Sequence, residues 1–280
     1  MKVLPFKIPK SKDVSLIYQE DKGEILYDKL HQHEEIQISI VLSGEGDLVV
    51  GDTINRYREN DIVVIGSNVP HLFRSDTSIE IESHMLTLFF TKDSFGKFFF
   101  DLIEMRELES IFKRIDSGIQ LEDRVDEIKE RFLGLENESH LERFISFLNI
   151  LKHISRAETK SLSSFIYSKV YSEDEGERMS NVMNHAISNF NKDITLDEIA
   201  NIAAMTPNAF CRYFKQRTNK TFFQFLLEIR LEHACRLLLK SKDATVSEIS
   251  DASGFKNISN FNRKFKEFKG ITPTGFRKEG

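Results

Sequence analysis

The sequence predicts two domains: an N-terminal all-β barrel with a helical extension, then a C-terminal all-α unit built from two helix-turn-helix repeats. Three observations predict it. Apolar residues alternate with period two within the first 90 residues, they step by three and four from about residue 120, and a duplication fills the last hundred. A length of 280 residues, with 40% apolar and 30% charged side chains, suits two folded domains of ordinary size. Met1 to Lys10 carries no apolar signal core, and no run approaches the roughly 18 apolar residues of a spanning helix. Secretion and membrane insertion are therefore not expected. The two cysteines, Cys211 and Cys235, have no Cys-x-x-Cys spacing and fit a reducing cytoplasm.

In IQISIVL, Ile36, Ile38, Ile40 and Leu42 fall on one face and Gln37, Ser39 and Val41 on the other, as a strand requires. Further β-prone runs are Asp47 to Val50, Ile62 to Ile65, Ile79 to Glu82 and Met85 to Phe90. Turn signals separate them at Ser43-Gly44, Gly51-Asp52, Asn60-Asp61 and Asn68 to Pro70. Short strands at this spacing predict a barrel or sandwich over residues 1–95.

The period then changes. Leu121, Val125, Ile128, Phe132 and Leu135 share one helical face, as do Leu141, Phe144, Leu148 and Leu151. These helices, in 96–155, either pack against the barrel or form a dimer seam; the spacing admits both, and a homodimer is the expectation. Serine and charge accumulate around SLSS and YSEDEGER, which places a linker at 156–180.

Charge divides the chain more sharply than composition. Residues 181–280 hold 16 Lys plus Arg against 10 Asp plus Glu, a net of +6, while the first 180 residues carry a net of -11. A basic back half behind an acidic front suits a polyanion met by the back half alone. The same hundred residues contain the duplication. Thr195, Glu198 and Ile199 recur as Thr245, Glu248 and Ile249, and after a one-residue insertion Phe210, Arg212, Phe214, Lys215 and Thr221 recur as Phe261, Arg263, Phe265, Lys266 and Thr272.

Each shared position has a local physical role. Thr195 with Glu198, and Thr245 with Glu248, form capping boxes that start a helix. Asn219 and Gly270 are the two residue types that tolerate the left-handed C′ position closing a helix, and Thr272-Pro273 opens the next one. Tight turns near Met205-Thr206 and Phe255-Lys256 complete two helix-turn-helix units, about 195–218 and 245–269. In each second helix the Phe pair faces inward. Asn208, Cys211, Arg212 and Lys215 face outward, and so do Ser259, Asn262, Arg263 and Lys266. With Thr206 and Asn257 at the helix starts, these are the expected DNA-binding residues. Arg can bond guanine bidentately, Asn can bond adenine, and Lys suits phosphate.

At these residues the resemblance is to the AraC/XylS family of bacterial transcription regulators. It rests on ACRLLLKS at Ala234 to Ser241, SGFKNISNFNRKFKEFKG at Ser253 to Gly270 and ITPTGFRK at Ile271 to Lys278. The resemblance implies a DNA-binding domain over 181–280, two units joined by a helix of about Phe222 to Lys240, and a bipartite operator in double-stranded DNA. This chain has Pro207 near the start of the first recognition helix and Cys211, a weak base reader, on its outer face. The first unit is therefore expected to contribute less specificity than the second.

In HQHEEIQ, His31, His33, Glu35 and Gln37 share the face opposite the isoleucines, and His71 follows a later turn. With Gly44, this set resembles the cupin barrel that forms the sensor half of many such regulators, a likeness covering roughly residues 20–90. Alternation alone does not say which face is inside. His31, His33, Glu35, Gln37 and His71 are the expected effector-binding residues, for a small molecule such as a sugar or polar metabolite. In metal-binding cupins a carboxylate usually stands four residues after the second His; here that residue is Gln37. No metal, cofactor or catalytic residue is assigned.

The resulting expectation is a cytoplasmic, effector-controlled activator that binds DNA as a homodimer, with RNA polymerase as a further partner and no membrane contact. The rival is a metal-dependent cupin enzyme with an appended helical domain.

Overall fold

The computed structural model describes residues 14–77, 80–164, 173–241 and 243–279. Met1 to Lys10, Ile79 and the middle of the expected linker lie outside them. The chain divides into two compact units, Met1–Gly176 and Glu177–Gly280.

The first unit holds nine described strands, β1 (Ile17–Gly23), β2 (Ile36–Ser43), β3 (Gly46–Val50), β4 (Thr53–Tyr57), β5 (Ile62–Ile65), β6 (His71–Ser75), β7 (Ser83–Phe90), β8 (Ile119–Leu121) and β9 (Thr159–Ser161). They form a six-stranded sheet in the order β1-β7-β2-β5-β8-β9 and a three-stranded sheet in the order β4-β3-β6. The expected strand Ile79 to Glu82 is a correction: residues 80–82 form no strand, and pairing resumes at Ser83, opposite Gly23 of β1.

Both faces of β2 are buried. Ile36, Ile38 and Ile40 join a core with Leu86, Leu88 and Phe90 and with the helices beyond, while Val41 joins Leu48, Val50, Val63, Ile65 and Phe73 in a second core between the sheets. Gln37 and Ser39, on the Val41 face, are 3% and 1% exposed. The polar face of β2 therefore points into the barrel.

The helical extension comprises α1 (Glu109–Arg114), α2 (Val125–Gly134) and α3 (His140–Arg156). Ser139 and Glu142 start α3 with a capping box, as Ser-x-x-Glu dictates. Ile128, Phe132, Phe147, Ile150, Leu151 and Ile154 pack against the isoleucine side of the barrel. Leu121, expected to be helical, is instead in β8, and Leu135 sits in a 3₁₀ turn; both still reach the same core. Leu141 and Ile145 face outward at 69% and 51% exposure.

The expected linker, 156–180, opens within the first unit and closes within a helix. Thr159–Ser161 pairs with Ile119–Leu121, and the buried Asp52 carboxylate accepts hydrogen bonds from Ser163 Oγ at 2.7 Å and the Ser164 backbone at 3.2 Å. Composition missed this strand because a three-residue edge strand of Thr, Lys and Ser carries no apolar period.

The second unit is all helix: α4 (Glu173–Asn189, completing from the first unit), α5 (Leu196–Ile202), α6 (Pro207–Thr218), α7 (Phe222–Lys240), α8 (Val246–Ala252), α9 (Ile258–Lys269) and α10 (Pro273–Glu279). Both expected capping boxes form. Thr195 Oγ1 accepts from the Glu198 amide at 3.2 Å, and Thr245 Oγ1 accepts from the Glu248 amide at 3.2 Å. Asn219 and Gly270 close α6 and α9 at φ of 56° and 79°. Among the described residues, no helix is long and apolar enough to cross a membrane.

Candidate nucleic-acid interface and histidine cluster

Each second helix is anchored by the Phe pair on its inner side. Phe210 and Phe214 are fully buried, with ring centroids 5.7 and 5.6 Å from Phe222 on the long helix α7. Phe261 and Phe265 are equally buried, packed on Phe255 and Phe276 at 5.0 and 5.6 Å. Burying four aromatic rings fixes the rotation of α6 and α9 about their axes, and so determines which side chains meet solvent.

The outer faces carry the residues read from the sequence. Thr206, Asn208, Cys211, Arg212 and Lys215 are all exposed on the first helix-turn-helix, as are Asn257, Ser259, Asn262, Arg263 and Lys266 on the second helix-turn-helix. Two of the ten also cap helices. Thr206 Oγ1 accepts from the Ala209 amide at 3.4 Å, and Asn257 Oδ1 accepts from the Ser259 and Asn260 amides at 2.8 and 3.1 Å. Their acceptor oxygens are thus engaged with backbone, which leaves hydroxyl and amide donors for an anion.

In the first unit, β6 and β2 bring the five expected sensor residues together. His31 and His71 exchange backbone bonds of 3.0 and 2.9 Å, which sets their rings 4.3 Å apart; His33 and His71 rings are 5.1 Å apart. His33, Glu35, Gln37 and His71 are buried at 5, 6, 3 and 1% exposure, and His31 is partly buried.

Backbone carbonyls dictate the tautomers. His31, His33 and His71 each donate Nδ1–H to the carbonyl of Lys29, Glu35 and Val69, at 2.8, 2.9 and 2.8 Å. In a neutral ring the Nε2 atom is then left as a lone-pair acceptor. Burial keeps His31 and His71 neutral, lowering His31 to about 3 and His71 well below 6.5, with the neighbouring imidazoles adding to the effect. Gln37 Oε1 stands 3.1 Å from His33 Nε2 and 3.0 Å from His71 Nε2. Three lone-pair atoms facing one another require either the Gln37 amide turned to offer its NH₂ or a cation between them. With the amide turned, its oxygen accepts from Ser39 Oγ at 2.8 Å, and Ser39 meets Thr87 Oγ1 at 2.9 Å. Ser39 and Thr87 were not singled out in the sequence; Ser39 continues the His31 to Gln37 alternation, whereas Thr87 arrives only through its pairing opposite Ser39.

The described fold is thus a β-barrel holding a buried imidazole cluster, followed by two helix-turn-helix units on a shared long helix. Comparison with known proteins agrees. The family described as "Helix-turn-helix domain" matches residues 199–279, and the family described as "Cupin domain" matches residues 19–86. The chain therefore carries a cupin domain in its N-terminal unit and a helix-turn-helix domain in its C-terminal unit.

Among its relatives, the uncharacterized HTH-type transcriptional regulator YdeC of Bacillus subtilis is 31% identical over 37% of this chain and 35% of its own. The probable transcriptional regulator LumQ of Photobacterium leiognathi is 25% identical over 88% of this chain and 91% of its own. The HTH-type transcriptional activator RhaR of Mannheimia succiniciproducens is 24% identical over 89% and 86%. The chain spans only 12 to 35% of the length of the first four curated relatives it matches.

Cupin barrels can hold a metal, and the three histidines present one nitrogen each to a common space. One nitrogen from each of His31, His33 and His71 lies within 4.8 Å of the others. Two ligands at about 2.1 Å on a tetrahedral zinc ion stand about 3.4 Å apart, so the widest pair must draw in by more than an ångström. The Nδ1–H bonds to carbonyls are the outer-shell arrangement metal-binding imidazoles use. His31, His33 and His71 thus supply the donor types of a transition-metal site, with Gln37 Oε1 as a neutral fourth donor, in a cluster that must contract to hold an ion.

Proposed function

We propose that this protein is a sequence-specific, DNA-binding transcription regulator whose N-terminal unit takes a small-molecule effector. The observation that carries the reading is the duplicated, capped helix pair, in which each Phe-anchored second helix turns Arg and Lys outward at matching positions. Arg263 and Arg212 supply forked donors for guanine, Asn262 an amide for adenine, and Lys215 and Lys266 charge for phosphate. The buried set His31, His33, Glu35, Gln37 and His71 offers neutral acceptors and one carboxylate, which suits the hydroxyls of a sugar or another polar metabolite. The effector acts by binding one arrangement of the protein better than the other. No catalytic step is assigned.

The relative named as an activator supports activation, with RNA polymerase as the partner. Leu141 and Ile145, one turn apart and exposed on α3, support a homodimer; Leu141→Glu with Ile145→Glu is expected to shift sedimentation to the monomer. A second reading of the sensor rests on the three imidazoles whose ligand nitrogens lie within 4.8 Å of one another: a divalent transition metal held by His31, His33 and His71, which would supply a Lewis-acid anchor for an anionic effector. Metal analysis of the purified full chain separates the two.

The test of the main reading is recovery of fragmented genomic DNA by the purified protein, followed by sequencing. A bipartite motif with half-sites about one helical turn apart is expected. Retention that ignores sequence and vanishes with salt would reduce the basic unit to a non-specific anchor. Arg263→Ala should cost about 1–3 kcal/mol of specific binding and relax preference at one base pair.

A further inference from the structure

The two recognition helices carry the same net charge but not the same charges. α6 holds Arg212, Lys215 and Arg217 with no acidic residue, while α9 holds Arg263, Lys264, Lys266 and Lys269 together with Glu267. Glu267 is the single carboxylate on either helix. Its counterpart in the first repeat, one position after Lys215 as Glu267 is after Lys266, is the neutral Gln216.

That carboxylate is fully engaged. Arg263 donates from one terminal nitrogen to Glu267 Oε1 at 2.7 Å and from the other to Asn260 Oδ1 at 2.9 Å, and Lys264 Nζ donates to Glu267 Oε2 at 2.8 Å. Asn260, Arg263 and Glu267 follow one another at i, i+3 and i+7, so the guanidinium is gripped from the helix turn on either side. It keeps its remaining N–H groups for a base edge. Arg212, in the first helix-turn-helix, makes no hydrogen bond or ion pair among the described residues. Glu267 itself lies about 40° round the helix from Arg263, on the flank of the outward face and not at its centre.

We infer that Glu267 is a specificity-determining positioning residue: it holds Arg263 in one reading geometry and repels phosphates that are not in register. This rests on the DNA-binding reading above and deepens it. Two effects follow from one side chain. A guanidinium already fixed in place loses less freedom when it meets a guanine edge. A negative charge on the recognition helix weakens binding to any duplex whose backbone approaches it, whatever the sequence. Together they raise the ratio of specific to non-specific affinity. They also make the second helix-turn-helix the discriminating one and the first helix-turn-helix, with a loose Arg212, the more tolerant anchor.

The experiment uses the full-length protein and two duplexes, the strongest site recovered from the genomic selection and a scrambled duplex of equal length and composition. Affinities are measured as a function of salt. Glu267→Gln keeps the side-chain shape and removes the charge, and because the pair is exposed its melting temperature should stay unchanged. The scrambled duplex is expected to bind about threefold to tenfold more tightly at low salt, with a salt slope steeper by about one. The specific site gains less, so the specificity ratio falls. Gln216→Glu, which gives Arg212 the same i+4 partner, is expected to change non-specific binding in the opposite direction.

An unchanged ratio and unchanged slopes in Glu267→Gln would overturn the inference and leave Glu267 a solvated helix charge. If Asn260→Ala and Glu267→Gln weaken both duplexes equally, the grip on Arg263 contributes to folding and not to reading, and the inference also fails. A wild-type protein that does not distinguish the two duplexes at all overturns the DNA-reading assignment itself, a result separate from either of these.

Discussion

Gln37 ties the two buried imidazoles of the sensor together, and its loss has a definite cost. Replacing it with Leu removes the hydrogen bonds Gln37 makes with His33 Nε2 and His71 Nε2 inside the barrel, where bulk water does not restore them. Gln37→Leu should lower stability by about 1–3 kcal/mol in chemical denaturation followed on the N-terminal unit. The same cluster predicts a pH dependence. His31 is lowered to about 3 and His71 well below 6.5, so between the folded and unfolded values the unfolded chain binds more protons. Stability from this pair is complete above about pH 6.5 and is lost as pH falls toward the folded values. Melting temperature should therefore fall from about pH 7 to about pH 5, and fall less in His71→Asn. His31 and His33 were legible in the sequence because they share one parity with Gln37, and His71 because it follows the turn at Asn68 to Pro70. Their tautomers were not, since the carbonyls of Lys29, Glu35 and Val69 take up position only when the loops and strands close.

At the scale of the element, the two helix-turn-helix units differ at one turn position. Ala204 and Gly254 both adopt left-handed backbone, at φ of 50° and 79°. Gly254 has a second constraint: a Cβ there would stand 2.8 Å from the Phe190 carbonyl oxygen and 2.8 Å from Asn191 Cα, where Arg230 also donates to the Phe190 carbonyl at 2.7 Å. Gly254→Ala should cost more than the roughly 1–2 kcal/mol of the backbone strain alone. Ala204→Gly removes that strain at the cost of unfolded-chain entropy, and should stabilise by up to about 1 kcal/mol. Urea unfolding of the C-terminal unit checks both. The helix starts and stops around these turns were readable residue by residue, because a capping box or a left-handed C′ residue depends on neighbours three or four positions away. Leu121 was misread as helical because its spacing to Val125 fits a helix, while the pairing of Ile119–Leu121 with Thr159–Ser161 spans about forty residues.

At the scale of the whole molecule, the opposed charges of the two halves suit the proposed division of tasks, because a polyanion repels the acidic N-terminal half and attracts the basic C-terminal one. A ligand that binds only the native sensor must raise its melting temperature, by an amount growing with the logarithm of ligand concentration. Screening sugars and small polar metabolites by thermal shift should therefore yield at least one compound whose shift disappears in His33→Ala. A protein that responds to none of them but binds a transition metal stoichiometrically would replace the metabolite with the metal.

By itself the sequence determined the two-domain division, the duplicated helix pairs with their caps, the ten outward residues of the recognition helices and the parity of the sensor histidines. All of these follow from interactions between residues within a few turns or one strand of each other. Only the tertiary structure decided that the polar face of β2 points inward, that Thr87 completes the chain of hydroxyls behind Gln37, and that α2 and α3 spend their apolar faces on the barrel. A period of two defines two faces without saying which is inside, and that choice is made when strands far apart in sequence pair and exclude water from one side.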